Sequence, residues 1–557
     1  MTRSVIDPIT RIEGHLRVEM EVEGGVVTDA WVSGGCFRGM ELVVQDRTPE
    51  DAAQIVQRIC GVCPVSHAHA SSIAGEKAYG ITISNNARIV RNLIEGAQFL
   101  HSNILWFYNL AALDYVNPLN ALDANASDAI DLAQAAGTSM NSDLIALKEK
   151  LTAFAANGQL SIFSGNWFNS DNGTAYKLPP ELDLICTAHY LEALKMQAKA
   201  SEVAALLGGK MPHVMTIVPG GTAFVPTEQK LDDLKALTDE IYNWVSTTMI
   251  PDTLAIAPFY ADALKFGKGC GRYVAWGVFE GKEFPYGDDY IEQMKHRYMP
   301  MAVLDEKFNV SDVDESKITE YMGRSWYKGD GTYTSPYFTT EPEFTSYDVD
   351  NRYSWVKCPA YDGKPMEAGS MARIFAAYKR NVPFIVEHVD ALAEALGAKA
   401  GDLTAFQSTL GRTAIRQVET LYVAQLMKDW TVELMEALAS GDSEYFREPK
   451  TTTGSGTGFW EAPRGALYHS ETVKNGKIEG YQIIIPSTWN LAPKNAENVN
   501  GPLEEALIGV PVADIDMPIN ALRTVHSFDP CTACAVHVTE PATGKSFETV
   551  TSPWGVK

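Results

Sequence analysis

Hydrophobic and polar residues alternate near the start of the chain, where Leu16, Val18, Met20 and Val22 are apolar at every second position. A period of two is typical of a strand with one buried face, and the following "EGGVV" has the composition of a turn. We therefore predict a β-hairpin over residues 14–33. The next stretch, "DAAQIVQRIC", predicts a short helix that leads directly to a cysteine.

Longer stretches carry apolar residues at helical spacing, which predicts long helices. The first has Ser84 as a favourable N-cap and runs to about residue 115. Its least charged part, residues 96–113, contains Gln, His, Ser and Asn, so we predict a buried helix and not a membrane span. The other long helices are predicted at residues 181–207, 371–396 with a break near Pro383, and about 413–439.

The remaining sequence has weaker patterns. Residues 258–360 are rich in Tyr, Gly and Asp with short alternating runs, which indicates an irregular, partly β excursion. Residues 450–458 have the composition of a loop, and residues 481–489 resemble a strand. We predict an α+β fold, a large multi-lobed body around a central bundle of long helices, with flanking small β-sheets. Its predicted segments are 1–83, 84–257 (first part of the helical core), 258–360, 361–449 (second part of the helical core), 450–537 and a C-terminal extension, 538–557.

Composition narrows the functional class. The chain has 557 residues, of which 45% are apolar, and a net charge of −24 from 46 basic and 70 acidic residues. This acidic balance argues against nucleic-acid binding, which needs a basic surface. The first residues, "MTRSVIDPITRIEGH", lack the apolar core of a signal peptide, so we expect none on this chain.

Two CxxC pairs stand near opposite ends of the chain: Cys60 with Cys63, and Cys531 with Cys534. Together they offer four thiolates to one metal site. Spacing alone leaves several interpretations open: a structural zinc, a catalytic metal, a redox pair, or unrelated buried thiols. Zinc usually closes short loops, so the long separation favours a site at the centre of the whole fold.

The residues around these pairs resemble those of one family. The segments "RICGVC" with its following histidine and "DPCTACAVH" are similar to the large, catalytic subunit of nickel–iron hydrogenases. The ending is most similar to the membrane-bound, respiratory uptake branch. Further similar segments follow in the same order as in that family: "DPITRIEGHLRVE" at 7–19, "KCPAYDGKPMEAGSMAR" at 357–373, "EAPRGALYH" at 461–469, "PSTWN" at 486–490 and "GPLEEALIGVPV" at 501–512.

The resemblance implies heterolytic oxidation of dihydrogen at a nickel–iron centre. Cys60 and Cys531 would bind nickel alone, and Cys63 and Cys534 would bridge nickel to an iron that carries carbon monoxide and cyanide. Thiolates are soft ligands that suit both metals. Splitting dihydrogen also requires a base close to a Lewis acid, and a terminal thiolate such as Cys531, or Arg464, can be that base.

The resemblance also assigns roles around the metals. Glu13 would pass protons away from a terminal cysteine, although by itself it resembles a surface carboxylate. Arg464 would lie over the metal pair and Asp529 would hold it; alone, they would suggest a loop ion pair and a turn-forming Asp-Pro. Ser487 would hydrogen-bond an iron cyanide, but most serines in strands have no such role.

A magnesium ion is implied as well. Its ligands would be Glu41, His537 and a backbone carbonyl near Ile483. His67 would lie close to the metals, and a satisfied core histidine is an equally good interpretation.

One position departs from the family pattern. Many relatives have His-Asp-His where this chain has His101–Ser102–Asn103. The aspartate there usually helps to fix the arginine, so Arg464 would depend more on Asp529.

The expected partners are the proteins that would receive the electrons released by hydrogen oxidation. The other cysteines, Cys36, Cys186, Cys270 and Cys358, show no iron–sulfur spacing. We therefore expect the electrons to leave through another protein, and the resemblance implies that this is a small subunit that carries iron–sulfur clusters and the export signal. The pair would act on the outer face of the cytoplasmic membrane, with a cytochrome or a quinone-linked acceptor. The alternatives are a zinc-clipped structural subunit and a hydrogen-sensing homologue.

The last twenty residues have the composition of a disposable segment, rich in Thr, Ser, Pro and Gly. We expect a maturation endopeptidase to cut between His537 and Val538 once the metals are in place. Until then, the tail would keep Cys531 and Cys534 from closing the site around a wrong metal.

Overall fold

Long helices form the centre of the fold. The computed structural model describes residues 2–35, 37–138, 142–160, 174–282, 290–338 and 341–532. Its α-helices are α1 (Met40–Val43), α2 (Pro49–Ile55), α3 (Pro64–Tyr79), α4 (Asn85–Ile104), α5 (Ala126–Ala135), α6 (Leu144–Ala156), α7 (Pro180–Gly208), α8 (Glu228–Trp244), α9 (Ile250–Ile256), α10 (Tyr290–Lys295), α11 (Ser370–Lys379), α12 (Pro383–Ala395), α13 (Thr409–Ser440), α14 (Pro486–Asn490), α15 (Pro502–Leu507) and α16 (Ile519–Ser527).

The long helices begin and end close to their predicted limits, except that α13 begins at Thr409, four residues before the predicted start. Ser84 caps α4, because its hydroxyl accepts a hydrogen bond from the Ala87 N–H group. The helix continues through a π-helical stretch, Leu105–Ala111, and a short 3₁₀ turn. At the end of α7, Gly209 adopts the left-handed conformation with φ of 81°, which a glycine reaches without strain. The predicted break before Pro383 separates α11 from α12.

The main hydrophobic core lies between α4, α7, α8, α11 and α13, and includes Leu93, Val203, Leu234, Phe375 and Trp430. The nearly uncharged part of the first long helix is buried in this core, as predicted. Within the described ranges, no helix has both the length and the apolar character needed to span a bilayer.

Small separate sheets surround the helices, so the predicted α+β class is confirmed. The sheets have the strand orders β1–β2–β3, β4–β5, β6–β7–β8, β10–β9–β11 and β12–β13–β14. The strands are β1 (Thr2–Ile6), β2 (Leu16–Glu23), β3 (Val26–Gly34), β4 (Ile217–Val218), β5 (Gly221–Thr222), β6 (Tyr273–Ala275), β7 (Ala302–Leu304), β8 (Val310–Ser311), β9 (Ile318–Tyr321), β10 (Thr332–Thr334), β11 (Cys358–Tyr361), β12 (Gly454–Ala462), β13 (Gly465–Lys474) and β14 (Lys477–Ile484).

The N-terminal hairpin is present as β2 and β3, with Val18 opposite Val32. The sequence did not indicate β1, which pairs antiparallel with β2 and places Ile6 opposite Val18. The division of the chain into six segments stays a prediction.

Two expectations in the C-terminal region were wrong. Residues 450–458 do not form a loop throughout, because β12 begins at Gly454. The strand-like stretch 481–489 is a strand only as far as Ile484, and α14 begins at Pro486, where proline suits the first helical turn.

Alternate glycines explain why β12 was mistaken for a loop. A Cβ atom on Gly456 would lie 2.0 Å from the Ala74 carbonyl oxygen, and one on Gly458 would lie 2.0 Å from that of Ala70. The missing side chains therefore let the strand lie directly on α3, the helix that follows the first cysteine pair. Glycine at every second position marks such a close approach and not only a turn.

We expect Gly458→Ala to destabilise the protein by ~1–3 kcal/mol or more, because the added methyl group must push β12 away from α3. Thermal unfolding of the purified chain measures the effect. Gly331→Ala is the matched control, since its Cβ would make only ordinary contacts, 3.6 Å from the Tyr333 ring. Equal unfolding temperatures for the two variants would contradict the close packing.

Candidate metal centre

Three cysteines from opposite ends of the chain meet in the interior. Cys60 follows a 3₁₀ turn, Cys63 is the residue before α3, and Cys531 lies just after α16. The Sγ atoms of Cys60 and Cys531 are 3.3 Å apart, and all three sulfur atoms lie within 4.8 Å of one another. All three residues are buried, so the sulfur atoms form a ready set of ligands for a metal.

The local backbone favours thiolates at the first pair. Cys60 Sγ accepts hydrogen bonds from the N–H groups of Val62 and Cys63, at 3.3 and 3.1 Å. Cys63 lies at the N-terminus of α3, where the helix dipole stabilises negative charge. The CxxC turn therefore prepares both sulfur atoms for metal binding.

Arg464 lies beside the three cysteines, in the turn between β12 and β13. One of its terminal nitrogens is 3.0 Å from Asp529 Oδ1, and the other donates to Ser102 Oγ at 3.5 Å, the limit of a hydrogen bond. Burial by itself would lower the pKa of Arg464, but Asp529 and the three thiols raise it well above its usual value. The guanidinium is thus a permanent positive charge next to the sulfur atoms.

Glu13 lies at the edge of this cluster. Its backbone pairs with the segment around Cys531: the Thr532 N–H group donates to the Glu13 carbonyl at 2.6 Å. Burial raises the pKa of the half-buried Glu13 carboxyl group, and the nearby Cys60 raises it further. The structure therefore brings Glu13 next to both Cys60 and Cys531.

Ser487 contacts the cysteine cluster directly, and His67 lies near it. Ser487 lies in α14 and not in a strand; its Oγ accepts a hydrogen bond from the Cys531 N–H group at 3.0 Å. His67 Nδ1 is 3.1 Å from His469 Nε2, whose ring also contacts the Tyr481 hydroxyl at 2.8 Å. Burial lowers the pKa of His67 to about 4, so its ring is neutral at pH 7.

Glu41 and Ile483 are neighbours, as the predicted magnesium site requires. The Ile483 N–H group donates to Glu41 Oε1 at 2.8 Å. Lys357 Nζ lies 3.5 Å from Glu41 Oε2 and 3.6 Å from Glu320 Oε2. Glu41, Lys357 and Glu320 line an open cavity that also reaches Ser487, Cys531 and Thr532.

Some site residues could not be placed, and others were missed. Cys534 and His537 lie outside the described residues, as does the predicted cleavage position after His537. Sequence reasoning missed Lys357, although it lies inside a quoted family-like segment. It also missed Arg416, on α13, whose terminal nitrogen is 2.7 Å from Asp529 Oδ2. No local signal distinguishes Arg416 from other buried arginines.

These features form a buried set of three sulfur ligands that could hold a metal, with a fixed cation beside it and a carboxylate at its edge. The donor set is soft, and a charged group and a proton-carrying group lie within reach of the sulfur atoms. This arrangement suits the active site of a metalloenzyme.

Comparison with known proteins identifies which one. The family model for nickel-dependent hydrogenase matches residues 38–537, and a model described as HoxL-like matches residues 3–33. The Hydrogenase-2 large chain of Escherichia coli (strain K12) is 38% identical over 97% of both chains. The uptake hydrogenase large subunit of Rhizobium leguminosarum bv. viciae is 35% identical, over 97% of this chain and 96% of that protein.

Solved structures agree with this result. The Ni-Fe-Se hydrogenase from D. vulgaris Hildenborough superposes with a TM-score of 0.78 and 33% sequence identity, covering 96% of this chain and 100% of that one. The chain belongs to the nickel-dependent hydrogenase family. It is the large, catalytic subunit of such an enzyme, so this function is confirmed over a zinc-clipped structural subunit. The roles of the individual site residues stay predictions.

Proposed function

We propose that this subunit oxidises dihydrogen reversibly to protons and electrons at a nickel–iron centre held by Cys60, Cys63, Cys531 and Cys534. The observation that carries the proposal is the meeting of three buried sulfur atoms from opposite ends of the chain. Cys534, three positions after Cys531, supplies the fourth thiolate. Soft thiolates suit nickel and low-spin iron, so the donor set fits the proposed metals.

The ligands divide between the two metals. All four cysteines would hold the nickel, and Cys63 and Cys534 would also serve as ligands of an iron that carries carbon monoxide and cyanide. When bound, this centre supplies the Lewis acidity and redox capacity for heterolytic cleavage of dihydrogen. Ser487 Oγ already accepts the Cys531 N–H group, so its own O–H group remains able to donate to a cyanide.

Side chains of this subunit accept and transfer the protons. A terminal thiolate such as Cys531 accepts the first proton, and Asp529 holds the permanently charged Arg464 beside the sulfur atoms. Glu13 then takes the proton away from the terminal cysteines. Its raised pKa suits this role, because a carboxyl group closer to neutrality both accepts and releases a proton more readily.

A magnesium ion would be held by Glu41, the Ile483 carbonyl and His537. Carboxylate and carbonyl oxygens are ligands that this hard cation prefers. The hydrogen bond from the Ile483 N–H group to Glu41 supports the proposal, because it holds the Glu41 carboxylate next to Ile483, whose carbonyl would be another ligand.

Electrons leave through a small subunit that carries iron–sulfur clusters. The names of the relatives, "large chain" and "large subunit", support such a pairing. We place the complex on the outer face of the cytoplasmic membrane, exported with the small subunit and linked to a cytochrome or quinone acceptor. This rests on the resemblance to the respiratory uptake branch.

Infrared spectroscopy and metal analysis of the purified heterodimer test the centre. We expect one nickel per heterodimer, and iron beyond that of the small subunit's clusters, together with bands from metal-bound carbon monoxide and cyanide. Zinc in place of nickel, or the absence of these bands, would contradict the proposal. Hydrogen-dependent reduction of an artificial acceptor separates an enzyme from a hydrogen-sensing homologue, for which we would expect little turnover.

We expect the mature chain to end at His537. Removal of residues 538–557 would free the segment after Cys531 to close the site and bring His537 to Glu41. Intact-mass measurement of active enzyme checks the cleavage. A fully active, metal-loaded chain that still ends at Lys557 would show that processing is not required.

A further inference from the structure

Asp529 lies between two buried arginines. Its Oδ1 atom faces Arg464, at 3.0 Å, and its Oδ2 atom faces Arg416, at 2.7 Å. The side chains of all three residues are almost fully buried. The Arg416 contact is an ion pair without a well-aligned hydrogen bond, so its effect on the carboxylate is chiefly electrostatic.

Other contacts hold Arg416 firmly in place. Its Nε–H group donates to Asn103 Oδ1 at 2.9 Å, and its guanidinium carbon lies 4.2 Å from the centre of the Trp106 ring. Asn103 in turn donates to the Thr420 hydroxyl at 3.1 Å. Arg416 is therefore tied both to α4 and to its own helix, α13, and has little freedom to follow a moving carboxylate.

Arg464, by contrast, is held only from one side. Its sole ion-pair partner in the described part of the chain is Asp529 Oδ1, and its hydrogen bond to Ser102 is long. Its Nε atom is buried and has no hydrogen-bond partner among the described residues. When both oxygens of a carboxylate are available, arginine tends to form a bidentate ion pair with it.

We infer that Arg416 is a positioning residue for the reaction. Because Arg416 occupies Asp529 Oδ2, Arg464 cannot form a bidentate pair with Asp529, and its guanidinium stays against the cysteine sulfur atoms. The inference deepens the proposed function, since it rests on the role of Arg464 there.

The test compares Arg416→Gln, which removes the cation, with Arg416→Lys, which keeps it. In Arg416→Gln, Asp529 can turn both oxygens to Arg464 and pull it away from the sulfur atoms. We expect kcat to fall roughly 10- to 100-fold with little change in KM, as for misplacement of a reacting group by about 1 Å. The infrared bands of the iron ligands should shift as the nearby charge moves. Arg416→Lys should restore most of the rate and the wild-type bands.

Arg412→Gln is the matched control. Arg412 lies one turn earlier on the same helix, is equally buried and pairs with Glu367 at 2.7 Å, but in the described part of the chain it forms no hydrogen bond or ion pair with Asp529 or Arg464. We expect it to reduce stability without moving the infrared bands. A metal-loaded Arg416→Gln enzyme whose bands and kcat match those of Arg412→Gln would overturn the inference.

Three further variants keep the result interpretable. If Arg416→Gln does not accumulate, Asn103→Ala removes the bond to Arg416 Nε and leaves both charges in place; we expect a smaller shift in the same direction, and unchanged bands would count against the inference. Ser102→Asp should also move the bands, because a carboxylate there would hold Arg464 more strongly than the long hydrogen bond to the Ser102 hydroxyl does. Arg464→Lys with full turnover would instead refute the arginine's role in the proposed function.

Discussion

Cys60→Ser abolishes hydrogen uptake while the chain still accumulates: this is the largest effect that we expect from a single substitution. Cys60 Sγ is 3.3 Å from Cys531 Sγ and accepts hydrogen bonds from two backbone N–H groups, so the backbone stabilises its thiolate form for metal binding. A serine hydroxyl is a poor ligand for a soft metal. The loss should far exceed the ~10- to 100-fold typical of removing a group that only orients a metal ligand.

Nickel content and uptake activity of the purified variant measure this effect together. Cys186→Ser is the matched control, because Cys186 is equally buried but belongs to a separate apolar cluster around Tyr115 and Tyr260. It should keep both nickel and activity. Full activity in Cys60→Ser would remove this cysteine from the metal site.

The second large effect is expected for Glu13→Gln. The amide keeps the size of the side chain but cannot accept and release a proton, so both metals should bind normally while turnover falls. General acid–base groups typically contribute ~10²- to 10⁴-fold to rates, and we expect a loss in this range. Isotope exchange between dihydrogen and water should fall sharply as well, since it also requires protons to leave the centre.

Glu23→Gln is the control for this substitution, because Glu23 lies exposed at the end of β2. Metal analysis and infrared spectra of both variants show whether the centre is intact. If exchange in Glu13→Gln equals that of the wild type, protons leave the cysteine cluster by another route.

The helical framework could be predicted from the sequence because its signals are local. Ser84 and Gly209 mark helix ends through their own backbone and side-chain chemistry, and apolar stripes mark the buried faces. The failures at β12 and α14 have a different origin. Whether "GSGTG" forms a loop or a strand depends on the helix against which it packs, and Pro486 suits both a strand end and a helix start.

The site was predictable only in part. The spacing of the cysteine pairs is enough to predict a metal site. Nothing in the first 20 residues, however, shows by itself that Glu13 lies beside Cys531. The same holds for Arg416 and Lys357, whose significance comes from carboxylates far away in the sequence. Such residues are defined by tertiary contacts, and a motif in one segment cannot reveal them.

The pairing of Cys60 with Cys531 also constrains the order in which the protein is made. These residues are separated by 471 positions, so ribosomes must synthesise nearly the whole chain before the two sulfur atoms can meet. Closing so long a loop is entropically costly and slow, and contacts of this kind form late in folding. During translation the N-terminal pair therefore exists without its counterpart. This delay gives the cell a period in which metal delivery can be controlled before the site is complete.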